Sequence, residues 1–268
     1  VMDYLETRFG DHEHIFRLVG TIIILSMVTA YTAAQLTASG KAFNSFLGMD
    51  YATGVTVGAV VILFYTTVGG FKAVAYSDLL QGILMFCCLF LLPVAGIMAV
   101  GGWDSFIENL HLQDPALLTV MGSEGLELSS VLSAVGFVAI GFAFLGSPQL
   151  LTRFMAARSQ VDIVQGSRIA IPCILVFDIG AVLAGMSGRV LFPSLADPET
   201  VLPVMSVELF PSLITGLFLV TVLAAIMSTV DSLLILASAS VVRDVIQQTL
   251  KLAIVERKLS LVGKLVTV

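Results

Sequence analysis

The sequence predicts an all-α membrane protein, a bundle of six spanning helices, and two observations carry that prediction. The chain is 57% hydrophobic and only 12% charged over 268 residues, with a mean hydropathy of +1.02; a soluble domain carries about twice that charged fraction. Its apolar runs are far longer than the roughly 10 residues of a barrel strand and alternate with short polar loops, so the spanning elements are helices.

At about 20 apolar residues per span, the helices fall at about 16–38 (A), 51–69 (B), 74–100 (C), 129–151 (D), 167–192 (E) and 211–241 (F). Ahead of A, the polar opening VMDYLETRFGDHEH lacks a basic region followed by an apolar core, so no cleavable signal peptide is read there. Between B and C, TTVGGFKAVAYSD contains Gly69-Gly70, a tight reversal by its composition. The long loop after C, 101–129, includes WDSFIENLHLQ, which reads as a short interfacial helix carrying Trp103 and Phe106. Helix D places Gly136, Gly141, Gly146 and Pro148 along one span. Such interruption points to a discontinuous helix at a transport site, or else to close helix packing. Helix E carries Asp178 near its middle, where a carboxyl either hydrogen-bonds a neighbour, holds a proton or faces water.

Helix F holds the most informative residues. Ala225, Ser228, Thr229 and Ser232 stand at i, i+3, i+4 and i+7, one helical face, and Asp231 borders it. Oxygen ligands suit hard cations. A carboxylate near the bilayer centre costs roughly 2.5–3.5 kcal/mol on insertion scales, which makes a functional site the default expectation. The competing reading has the hydroxyls bonding back to carbonyls one turn earlier, with Asp231 paired inside the bundle.

The Lys and Arg census sets the orientation, because cytoplasmic loops are enriched in both. One side holds Arg8, Arg17, Lys72, Arg153, Arg158, Arg168, Arg243, Lys251, Arg257, Lys258 and Lys264, the other only Lys41 and Arg189, an 11 to 2 split of the 13 basic residues. The amino-terminal end of this chain is then cytoplasmic, in a plasma or inner membrane. Cys87, Cys88 and Cys173 all fall inside spans, which disfavours a disulfide framework or metal cluster. The net charge of −6 says little about partners. The chain also reads as an internal fragment, since it opens on polar residues without Met and closes in the short apolar segment LSLVGKLVTV.

Four stretches, YTAAQLTASGKAFNSFLGMDYATG, ILFYTTVGGFKAVAYSDLLQGILM, GSPQLLTRFMAARS and LAAIMSTVDSLLILASASVVRD, resemble in order and spacing the sodium/solute symporter family, nearest its sodium/proline branch. The resemblance implies a LeuT-like core of two inverted five-helix repeats. Residues 1–268 would then be a single transmembrane domain covering about core helices three to eight and the start of nine. It also implies a coupling sodium held by the Ala225 carbonyl and the Ser228 and Thr229 hydroxyls, and an additional sodium at Asp78, Ser228, Asp231 and Ser232. Asp78 has a plainer reading, complementing the dipole at a helix N-terminus. No Lys or Arg lies within C or F to neutralise Asp78 and Asp231.

For the solute, the resemblance points to Tyr31, Ile140, Phe144 and Pro148, although Tyr31 also fits an ordinary packed aromatic. Here the sequence departs from the proline-type pattern, with Ile140 replacing an expected Trp and Phe144 an expected Tyr, which removes two polar handles. The implied activity is sodium-coupled symport of a small organic solute, such as proline, another amino acid or a carboxylate. Sodium is the coupling ion and no other cofactor is implied. A symporter-like sensor module of a signalling protein is the alternative. An enzyme has little support: His12, His14 and His111 lie outside the spans, and neither HExxH nor GxSxG occurs. Nothing reads as a channel filter or suggests a nucleic-acid partner.

Overall fold

The computed structural model describes residues 2–11, 14–119, 125, 127–251, 262–263 and 265–266, with backbone alone at 69–73 and 143. Among the described residues the regular structure is entirely helical. In chain order it comprises α1 (Met2–Phe9), α2 (Ile15–Leu47), α3 (Tyr51–Val100), α4 (Trp103–Gln113), α5 (Leu128–Leu145), α6 (Pro148–Met155), α7 (Gln160–Leu191), α8 (Val201–Leu209) and α9 (Ser212–Ala239). A π-helical segment, Ser240–Thr249, continues α9.

Among the described residues, five segments are long and apolar enough to span a membrane: Ile15–Leu47, Tyr51–Val68, Val74–Val100, Gln160–Leu191 and Ser212–Thr249. They answer to A, B, C, E and F. The sixth, D, is not one long span: α5 ends at Leu145, Gly146 and Ser147 break the helix, and α6 restarts at Pro148. Proline at the first helical position explains the restart, because it lacks an N–H that would be unpaired there anyway. The interruption thus sits at the end of D, while Gly136 and Gly141 lie in unbroken helix with open space around them. Close packing at those two glycines is therefore not what the structure shows.

Other boundaries shift for local reasons. Helix A runs nine residues beyond its expected end, to Leu47, and stops at Gly48, whose φ of 64° and N–H to the Asn44 carbonyl make a left-handed cap. Ser39 and Asn44, polar residues beyond the expected end, both lie within the helix. Helix E begins earlier, at Gln160, because Ser159 caps it: the hydroxyl accepts the Asp162 N–H at 3.2 Å and donates to the Asp162 carboxylate at 2.8 Å. B and C belong to one helical run, α3. The backbone stays helical through 69–73, so the tight reversal expected at Gly69-Gly70 does not form there, and the Lys72 side chain lies outside the described ones. His12, Arg257, Lys258 and Lys264 lie outside the described residues as well. WDSFIENLHLQ is α4 as expected, although Phe106 is fully buried while Trp103 is 55% exposed.

The chain divides into two compact units, 1–82 with 151–153 and 222–268, and 83–150 with 154–221. In the first, Met2, Ile24, Val28, Leu233 and Leu236 form one apolar cluster and Ile62, Ile226 and Val230 another, so α9 packs against both α2 and α3. The α2–α3 approach is close because Gly58 faces Ser39, and Gly54 faces Gly40 and Phe43. In the second unit Leu92, Phe106, Leu110 and Met205 have no exposure at all. There α7 lies so near α3 that a Cβ at Gly180 would strike the Leu89 carbonyl.

Candidate functional site

The polar face of α9 forms as the spacing predicts. Ser228 Oγ donates to the Ala225 carbonyl at 3.1 Å and Thr229 Oγ1 to the same oxygen at 3.0 Å. Three oxygens therefore meet on one partly buried face of the first unit. Ser232 Oγ donates to the Ser228 carbonyl at 2.9 Å and lies 3.4 Å from Asp231 Oδ1. The back-bonding anticipated as the plainer reading is thus present. It does not exhaust these groups, because a hydroxyl that donates its hydrogen keeps its oxygen lone pairs for a cation.

Asp231 is the costly residue. It has no solvent exposure, and its Oδ2 has no hydrogen-bond partner among the described residues. The charges of Asp78 and Arg153 both act on it, which places the three groups together. Asp78 projects from α3, and the expectation that it has no basic neighbour fails: Arg153 of α6 places one guanidinium nitrogen 2.6 Å from Asp78 Oδ2 and 2.7 Å from Ser232 Oγ. The dipole reading of Asp78 fails too, since it lies well inside α3 rather than at a helix start. Asp78 Oδ1, the Tyr65 hydroxyl and Gln81 Oε1 are buried without a partner among the described residues. Tyr65 feels the charges of both Asp78 and Asp231. Sequence reasoning missed Arg153 by seeking counter-ions only inside C and F; the usable signal was a basic residue in the short helix PQLLTRFM, one turn beyond the break in D.

The solute candidates fall in both units. Tyr31 is in the first, 42% exposed on α2. In the second, Ile140 and Phe144 stand at i and i+4 on α5, exposed by 57% and 59%, and half-buried Pro148 opens α6. Asp178 is an exposed residue of α7. Cys87, Cys88 and Cys173 are free thiols, and Cys88 Sγ lies 3.1 Å from the Thr221 hydroxyl.

A second ionic cluster gathers on Arg17, a residue whose position in the sequence marks it only as a basic charge on the cytoplasmic side. Arg17 is 2% exposed. Its guanidinium bonds Asp3 at 2.6 Å, Asp244 at 2.8 Å and Glu6 through both Nε and Nη2, the Nε contact measuring 2.7 Å. Arg243 adds a 3.2 Å contact to Asp3, and His14 Nδ1 lies 2.8 Å from Glu6. The hydrogen bond from Arg17 is the main reason the Glu6 carboxyl is held down at about 2, and it also lowers Asp3.

Comparison with known proteins agrees with this architecture. The sodium:solute symporter family model matches residues 1–268. The high-affinity proline transporter PutP of Bacillus subtilis (strain 168) is 35% identical over 266 residues, 98% of this chain and 55% of the transporter. A sodium/proline symporter of Staphylococcus aureus is 32% identical over 249 residues, 90% of this chain and 47% of that protein. The chain spans about half the length of these curated relatives. A solved Na+-coupled sialic acid symporter, in a substrate-bound outward-open state, superposes with a TM-score of 0.71 at 22% identity, covering 99% of this chain and 58% of that one. The fold is thus the expected all-α, LeuT-like membrane fold, with five of the six expected spans formed among the described residues and helix D broken after Leu145. By the match along its whole length, this multi-pass membrane chain belongs to the sodium:solute symporter family.

Proposed function

We infer that the protein carrying this chain is a sodium-coupled secondary active symporter of a small organic solute, and that α9 holds the coupling ion. One observation carries the reading: the Ala225 carbonyl and the Ser228 and Thr229 hydroxyls are gathered within 3.1 Å on one helical face. A sodium ion entering there exchanges hydration water for oxygen dipoles already in place. The drive is adequate, since each charge moved down 100 mV yields about 2.3 kcal/mol before any concentration term. Asp78, Ser228, Asp231 and Ser232 form a second cation-binding set beside it, in which Arg153 contributes the positive charge.

Tyr31, Ile140, Phe144 and Pro148 are assigned to the solute. The relatives named for proline favour an amino acid, and the apolar side chains of Ile140 and Phe144 favour one with more apolar surface than proline. Residues 1–268 act as one transmembrane domain in the lipid bilayer of a plasma or inner membrane, with the amino-terminal end cytoplasmic by the distribution of Lys and Arg. The protein is a transporter rather than an enzyme and has no nucleic-acid partner.

The test is solute uptake into proteoliposomes containing the full-length protein, with sodium varied. Losing one ligand costs on the order of 1–3 kcal/mol, about tenfold to a hundredfold in sodium affinity. Thr229→Ala raises the sodium concentration for half-maximal uptake by that factor, and Thr229→Ser nearly preserves it. Because linkage is reciprocal, solute affinity at limiting sodium falls in Thr229→Ala. Wild-type sodium activation in both Ser228→Ala and Thr229→Ala, at normal insertion, would sink the assignment.

A further inference from the structure

We propose that the Arg153 guanidinium is a tethered cation standing in the place of a second alkali ion at Asp78 and Ser232, so that this protein binds one sodium ion where a variant without that charge binds two. The inference rests on reading α9 as a sodium site.

The geometry is that of an ion and its ligands. A single nitrogen of Arg153 meets a carboxylate oxygen of Asp78 at 2.6 Å and the Ser232 hydroxyl at 2.7 Å, the short distances of charge-assisted hydrogen bonds. These acceptors come from α3 and α9, and the donor comes from α6. Asp231 lies within the field of both charges with no exposure, and its Oδ2 has no partner among the described residues. Asp78 Oδ1 is unpartnered in the same sense. One guanidinium therefore faces two carboxyl groups and leaves an oxygen of each unmet. Charge and oxygen ligands suited to a hard cation are both in surplus once Arg153 is neutral.

Exposure makes the exchange possible. The Arg153 side chain is 48% exposed and that of Asp78 only 15%. The guanidinium reaches in from the rim, while its partners sit deeper. Its long side chain can swing out without opening the packing of α9 on α3, and the oxygens it leaves are already positioned. Ser228 lies within a turn of Ser232, so the second site adjoins the coupling-sodium oxygens without sharing the Ala225 carbonyl.

The deciding measurement is equilibrium binding of radioactive sodium to the purified full-length protein, alongside the Hill coefficient of sodium-activated uptake. Wild type binds one sodium per chain. Arg153→Gln binds two, with the Hill coefficient rising accordingly. Arg153→Lys, which keeps a tethered charge, stays at one, and Arg153→Gln combined with Asp78→Asn returns to one. Should Arg153→Gln not fold, Arg153→Ala serves the same comparison. Two sodium ions in wild type, or one in every folded neutral variant, overturns the proposal and leaves the α9 site standing. No sodium bound by wild type or by any variant removes the α9 site itself.

Discussion

Two guanidinium groups organise the first unit, and they differ in how completely their surroundings answer them. Arg17 is buried and bonds three carboxylates, using Nε and both terminal nitrogens. Arg153 is half exposed and serves one carboxylate and one hydroxyl through a single nitrogen, leaving buried oxygens on Asp78 and Asp231 unmet. Buried polar groups are normally satisfied, because an unpaired one costs its full desolvation. The saturated cluster accordingly reads as a staple joining α1, α2 and the end of α9. The unsaturated one reads as a cation site whose place Arg153 holds from the rim, with oxygen on Asp78 and Asp231 to spare.

The largest effect that would sharpen this contrast is at Arg17. Removing one partner of a buried ionic cluster leaves uncompensated charge and costs about 3–5 kcal/mol. Arg17→Ala should therefore lower the melting temperature and yield of the full-length protein sharply, as read by thermal unfolding in detergent. A variant as stable as wild type would remove the staple half of the comparison.

An intermediate effect is expected with acid. Glu6 is held at about 2 in the folded protein against an ordinary 4.5. A lowered folded value means the contribution is fully present above 4.5 and is lost as pH falls from there through about 2. Protection of α1 from proteolysis by an acid-active protease should fall across that window in wild type. In Glu6→Gln the same window should be flatter, and an identical acid profile in the two proteins would remove Glu6 from the account.

The smallest stability effect should come from Asp231→Asn, despite its complete burial. Its Oδ2 gives up no described hydrogen bond, so the change should stay within about 1 kcal/mol of wild type. Sodium activation of uptake should nevertheless shift. The contrast breaks if Asp231→Asn destabilises as much as Arg17→Ala while leaving sodium activation untouched.

What was legible in the sequence follows from the same physics. The α9 face could be read because one helix supplies all its oxygens, and helical periodicity fixes their mutual placement whatever else packs nearby. Asp78 joined that site through family resemblance alone, since no local rule brings residue 78 to residue 231. Arg153 escaped notice because it comes from a different element, 75 positions from its carboxylate partner. Arg17 escaped for a related reason: near a span's end a basic residue is ordinarily a topological marker, and only tertiary structure shows Asp244 meeting it across 227 positions. The break in D was readable from Gly146 and Pro148. Its position near the end of the span was not, because Gly136 and Gly141 carry the same propensity signal without a break.

The π-helical segment Ser240–Thr249 has a consequence for how α9 ends. Each hydrogen bond there reaches one residue further than in an α-helix, as in the 2.8 Å bond from Leu250 N–H to the Val245 carbonyl. One residue of α-helix corresponds to about 100° of rotation, so the wider coil resets the angular phase of everything that follows α9. Asp244 lies inside this coil, and its azimuth toward Arg17 is set by a winding different from the one that aligns Ala225, Ser228 and Thr229. The ion-facing part of α9 and its anchored end thus turn on separate gears, and tightening the coil would rotate the anchor without moving the oxygens upstream.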